Sequence, residues 1–141
     1  MRTGPQKFSA TTVISYVLTL VLWAYHPSSF GDQTDIRLPN LFDELTDASN
    51  RLDAKIIEQK IWVIWHTGPD PEVDEWFNQA QAAASSGDSL RALQIFKSVT
   101  SKYPRYAEGW NQRAIMHYLM GDIEDSLKTI GKTLELEPRH F

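Results

Sequence analysis

No feature of this chain restricts its fold as much as a repeat of 34 positions: Trp76 recurs as Trp110, Ala80 as Ala114, Gly87-Asp88 as Gly121-Asp122, Leu93 as Leu127 and Pro104-Arg105 as Pro138-Arg139. Large, small, turn and stop positions all keep step. A unit of this length is too short to be a domain and long enough for one helix pair stacked on the next. Units of that kind bury apolar surface only against their neighbours, so they build extended binding surfaces rather than enclosed reaction pockets. The expectation is an all-α chain, a short α-solenoid that binds rather than catalyses.

Two units are read, residues 73–106 and 107–140, within a repeat region of 71–141. In the second, Trp110, Ala114, Met116, His117 and Tyr118 recur at roughly helical spacing and predict one buried stripe. Gly121 closes that helix through a positive φ, and Asp122 offers a carboxylate to the free N–H groups of the next. Ile123, Leu127, Ile130 and Leu134 are expected to form the apolar face of the returning helix, which Pro138 stops. The first unit follows the same plan. Asp70-Pro71 predicts an N-cap and first turn, with Trp76, Ala80 and Ala83 as the stripe and Gly87-Asp88 as the turn. Leu90, Leu93, Phe96 and Val99 are expected to line the returning helix, and Pro104 to end it. Trp76 and Trp110 are expected in the core, and Ala80 and Ala114 where paired helices approach most closely.

These residues resemble the tetratricopeptide repeat (TPR) family. The first unit matches its pattern at Trp76, Ala80, Gly87, Asp88, Ala92, Phe96 and Pro104, and the second at Trp110, Ala114, Gly121, Asp122 and Pro138. The second departs at Ser126 and Thr133, where the family favours Ala, and at Arg113, where it favours Leu. The resemblance implies a fold and a habit of holding protein or peptide partners, not a chemistry. It also implies a concave groove lined by the first helix of each unit. Asp74, Phe77, Gln81 and Ala84 would face that groove from the first unit, and Glu108, Asn111, Ile115 and Tyr118 from the second. One subtype clamps a C-terminal carboxylate with Lys and Asn on these faces. Phe77 and Gln81 stand at those positions here, so no such clamp is expected.

Residues 32–70 precede the repeats. Leu41, Phe42 and Leu45 share one side of a short helix, and Ile57, Ile61, Ile64 and Trp65 one face of a longer one that Gly68-Pro69 breaks. A helical segment ahead of a stack predicts an N-terminal cap for its first apolar face. Trp62 and Trp65 are not both expected to face inward, which makes one of them a candidate for an exposed contact. The stretch from Asp32 to Phe42 also resembles the mature start of exported bacterial TPR proteins.

Arg2 and Lys7 lead into Phe8–Tyr25, 18 residues without a charge, the layout of a secretory signal. Residues 1–31 are therefore read as a signal peptide cut before Asp32 or as a retained membrane anchor, since the length also reaches the lower limit for a span. Either way the positive end stays inside, so the remainder is expected outside the cytoplasm, periplasmic or secreted. Contact with a membrane is expected only if residues 8–25 are retained, as in a membrane-anchored structural subunit of a larger complex.

No cysteine occurs, which excludes disulfides and thiolate metal sites. Without residues 1–31 the 14 basic residues fall to 12 against 18 acidic ones, a net charge of −6 that argues against nucleic-acid binding. His26, His66, His117 and His140 have no metal-ligand spacing, Glu135 and Glu137 find no acid–base partner, and no phosphate loop or nucleophile elbow is present. No enzyme, cofactor or metal is expected, and His117 is read as a packed side chain. Arg113 leaves two readings, a stem that packs beneath a solvated head or a guanidinium that recognises an acidic partner group. Repeat arrays usually need a covered last face, so the apolar flank of Leu127–Leu134 predicts self-association or low stability. The function expected is that of a scaffold or assembly factor.

Overall fold

A computed structural model describes residues 31–141 as six helices, namely α1 (Leu38–Thr46), α2 (Arg51–His66), α3 (Pro71–Ser85), α4 (Ser89–Lys102), α5 (Ala107–Leu119) and α6 (Ile123–Leu136). There is no strand among the described residues. The expected signal or anchor lies, Gly31 apart, outside them. No helix among the described residues is long and apolar enough to cross a membrane.

The punctuation of the sequence becomes helix ends. Asn50 Oδ1 accepts from the N–H groups of Leu52 and Asp53, both at 3.0 Å, and opens α2. Asp70 accepts from Glu72 N–H at 2.9 Å behind a proline in the first turn of α3, and Asp88 accepts from Arg91 N–H at 3.0 Å at the start of α4. Gly87 (φ 85°) and Gly121 (φ 83°) turn α3 and α5 into their partners. The next amide reaches back in each case, Asp88 N–H to the Ala83 carbonyl and Asp122 N–H to the His117 carbonyl, both at 2.9 Å, which is the glycine-closed helix end. Asp122 departs from expectation because its side chain makes no cap bond. It stands 3.6 Å from His117 Nδ1 instead.

Within the repeats α3 pairs with α4, α4 with α5 and α5 with α6, the serial packing of a solenoid. Ala80 and Ala92 are completely buried where α3 meets α4, beside Leu93, Phe96 and Val99. Gly109 serves the α4–α5 approach in the same way. A Cβ there would lie 2.9 Å from Val99 Cγ1 and 3.2 Å from Tyr106 Cδ1.

Two further sequence expectations are corrected. Trp76 and Trp110 are half-buried rather than core, because both sit on hairpin edges. Trp76 packs on Tyr103 beneath the Lys102 ammonium, and Trp110 donates its indole N–H to the Pro104 carbonyl at 3.0 Å. Leu90 is exposed. On α6 the buried residues are Thr129 and Thr133, while Ile123, Leu127 and Leu134 are exposed and only Ile130 is partly covered. The apolar stripe of α6 therefore forms the open edge of the array, and the hydroxyl-bearing face meets α5.

The segment before the repeats has its own core of Leu38, Leu41, Ile57, Ile61, Ile64 and Trp65. These include every residue assigned from sequence to the inner face of α2. Trp65 is 1% exposed, and Trp62 packs edge-on against it at 5.3 Å, so both indoles turn inward. The α1–α2 hairpin meets the repeats through α2, which crosses the chain to pack on α5, in the second.

Candidate partner-binding groove

The docking of α2 on α5 is built from a few polar residues and the aromatic rings between them. Ahead of α1, the Gln33 amide donates to the Arg105 carbonyl, and its Oε1 accepts the Ala107 N–H at 3.1 Å. Tyr106, the N-cap residue of α5, has no capping side-chain bond, so Gln33 satisfies this helix start from a distance. The Tyr106 hydroxyl donates to the Trp65 carbonyl at 2.6 Å. Burial, then the Glu108, Asp74 and Asp32 carboxylates, push its phenol far above the ordinary range and keep it a neutral donor.

Below this contact Glu108 is 1% exposed. Its Oε1 accepts from Gln112 Nε2 at 2.6 Å and faces His66 Nε2 at 3.3 Å. Its Oε2 accepts from Asn111 Nδ2 at 3.1 Å and faces His140 Nε2 at 2.9 Å. His66 is steadied by the Trp62 carbonyl, 2.8 Å from its Nδ1. The His140 ring lies flat on Trp65, with centroids 4.2 Å apart and planes 8° apart. The buried carboxylate thus joins the end of α2, the first turns of α5 and the residues after α6.

A second buried carboxylate shapes that last connection. Glu137 accepts from the backbone N–H, Nε and Nη2 of Arg139, each at 2.9 Å. Burial alone would raise its pKa, but the Arg139 hydrogen bonds and charge hold it below the ordinary carboxylate range. The Arg139 guanidinium in turn covers the Phe42 ring at 4.1 Å, so the turn that presents His140 is tied to α1.

The predicted groove residues therefore separate into two groups. Glu108 and Asn111 are buried beneath α2 and His140, and no partner reaches them in this arrangement. Tyr118 is exposed at the far end of α5, with Ile115 partly so. From α3, Gln81 is exposed and Phe77 half-buried, its ring 5.2 Å from Phe96 and 5.8 Å from Tyr106. Asp74 is exposed, with one oxygen accepting the Gly68 N–H at 2.8 Å. Asp74, Phe77, Asn78 and Gln81 line a cleft of about 340 Å³ that His66 and Thr67 close at one end. Asn78 belongs to the cleft and was missed from sequence, although its place one helical turn after Asp74 marks it.

This arrangement is suited to recognition. Asn78 and Gln81 offer amide donors and acceptors beside an aromatic floor, and the Glu108 cluster is saturated with hydrogen bonds from the chain itself. Among the described residues no group of three or more His, Asp or Glu is arranged to hold a metal ion.

No family model matches the chain. It is 30% identical over 105 residues, 74% of its own length and 52% of the relative's, to a protein of Rhizobium etli described as a TPR repeat-containing protein. It is 31% identical over 88 residues, 61% of its length and 48% of the relative's, to a tetratricopeptide repeat protein 36 homolog of Nematostella vectensis. The chain thus spans about half the length of these curated relatives.

Proposed function

Because the chain belongs to the tetratricopeptide repeat family, we propose that it acts as a non-enzymatic scaffold or assembly factor outside the cytoplasm. It holds an extended peptide or a partner helix along α3. The observation that carries this reading is the open cleft of Asp74, Phe77, Asn78 and Gln81, beside a second-repeat face that the chain's own hairpin covers. An amide-rich groove over an aromatic floor suits a peptide that offers both backbone hydrogen bonds and an apolar side chain.

The test is a crosslinking pull-down from the native envelope. Asn78 and Gln81 are exposed, so alanine at both leaves folding intact and is expected to weaken capture of the partner, as is Tyr118→Ala. Capture unchanged in all variants would overturn the groove. The export reading rests on the charged leader and the apolar run of residues 8–25. N-terminal sequencing of the mature protein is expected to begin at Asp32, and a retained leader would favour the membrane-anchored subunit.

The open edge of α6 supports self-association as part of the same reading. Ile123, Leu127 and Leu134 are each more than 40% exposed, an apolar stripe on one helix face that water disfavours. Sedimentation is expected to show a concentration-dependent dimer that Leu127→Glu dissociates. A parent chain that stays monomeric at all concentrations would contradict it.

A further inference from the structure

Arg113 has no role in the concave groove. It lies with Trp110 on the side of α5 turned away from Asn111 and Ile115. Its position is nonetheless fixed. The guanidinium carbon sits 5.4 Å from the centre of the Trp110 ring, itself held by the Pro104 carbonyl. One terminal nitrogen reaches Thr100 Oγ1 at 3.3 Å, while Thr100 is tied to the Phe96 carbonyl at 3.0 Å. The Nε atom is buried and finds no hydrogen-bond acceptor among the described residues, and no carboxylate among them lies within 4.0 Å of the guanidinium. A partly buried cation without an anion is expensive, since desolvation weakens the charged form and only a hydroxyl and a ring offset it.

A cleft of about 370 Å³ opens beside it between α5 and α6, lined by Trp110, Arg113, Asp125, Lys128, Lys132 and Glu135. Lys132 is taken by Glu135 at 2.8 Å. Lys128 has no ion-pair partner among the described residues and lines the same space. Two cations without an ion-pair partner, one planar and preset against an aromatic ring, outweigh the Asp125 carboxylate that lines the same cleft and match an incoming carboxylate in charge and in fork geometry.

We infer that this cleft receives an acidic side chain, aspartate or glutamate, of a protein partner, paired with Arg113 and supported by Lys128. The site rests on the reading of the chain as a protein-binding scaffold, but it lies apart from the α3 groove and is tested separately. The probe is a tripeptide, Asp-Glu-Asp, blocked at both ends, titrated into the full chain while the Trp110 indole N–H resonance is followed. The peptide is expected to shift that resonance and to bind about tenfold tighter than its Asn-Gln-Asn counterpart. Arg113→Leu keeps an apolar stem against α4 and is expected to weaken binding by about tenfold or more, with Lys128→Gln showing a smaller loss. Asn78→Ala is expected to leave this affinity unchanged while still impairing partner capture at the α3 groove. Equal binding of the acidic and amide peptides would overturn the proposal. So would parental affinity in a folded Arg113→Leu variant, no shift of Trp110 at millimolar peptide, or succinate binding as tightly as the peptide.

Discussion

Replacing Trp65 by alanine is expected to destabilise the protein by about 3–5 kcal/mol, the usual cost of removing a large buried aromatic side chain. That is a large fraction of the roughly 5–15 kcal/mol that stabilises a single domain. The residue is 1% exposed and central to three contacts at once. Its ring packs on Trp62 and Phe42 within the hairpin core, it stacks on His140, and its carbonyl accepts the Tyr106 hydroxyl. The cavity would open where α2 meets α5, so the loss is expected in the docking of the hairpin as well as within it. Chemical denaturation of the parent and the variant measures the difference. Trp110→Ala, at a half-buried position, is expected to cost less, and the reverse order would place the structural centre in the repeats alone.

The second large effect is expected at Glu108. A leucine there fills similar space but leaves the Asn111 and Gln112 amides, His66 and His140 without their acceptor. Each buried donor left unsatisfied costs about 1–3 kcal/mol, and because His66 and the half-buried Gln112 can rehydrate, the two that remain, on Asn111 and His140, put the total near 2–6 kcal/mol. The same substitution is expected to expose Asn111 and the start of α5, where hydrogen exchange would quicken. Glutamine, which keeps one acceptor oxygen, should cost less. A Glu108→Leu variant as stable and as slowly exchanging as the parent would show that the cluster does not hold the hairpin down.

Much of the fold was legible because its signals are periodic or local. The 34-position repeat marks four helices, and Asp70-Pro71, Gly87-Asp88 and Gly121 set their ends. The inner face of α2 followed from the spacing of Ile57, Ile61, Ile64 and Trp65. What was not legible depends on contacts between distant single residues. Gln33 capping α5, Tyr106 reaching Trp65 and His140 meeting Glu108 carry no spacing that a pattern could reveal. Those contacts decide which part of the expected groove is covered, so helical spacing set Glu108 and Asn111 on one face of α5 without showing that the hairpin closes over them. The tryptophans at repeat positions misled for a physical reason. A large ring at the rim of a hairpin serves packing while remaining half in water. On α6 the periodic stripe was read correctly as apolar, but periodicity does not say whether a neighbour covers it.

Nuclear Overhauser contacts in the folded protein test the hairpin's placement most directly. Cross-peaks are expected from the Trp65 indole to the His140 ring, and from the Tyr106 ring to the α-proton of Trp65. Their absence, with Ile57 and Ile61 instead showing contacts to Val73 and Trp76, would put α1–α2 at the end of the stack and leave the second repeat's concave face open.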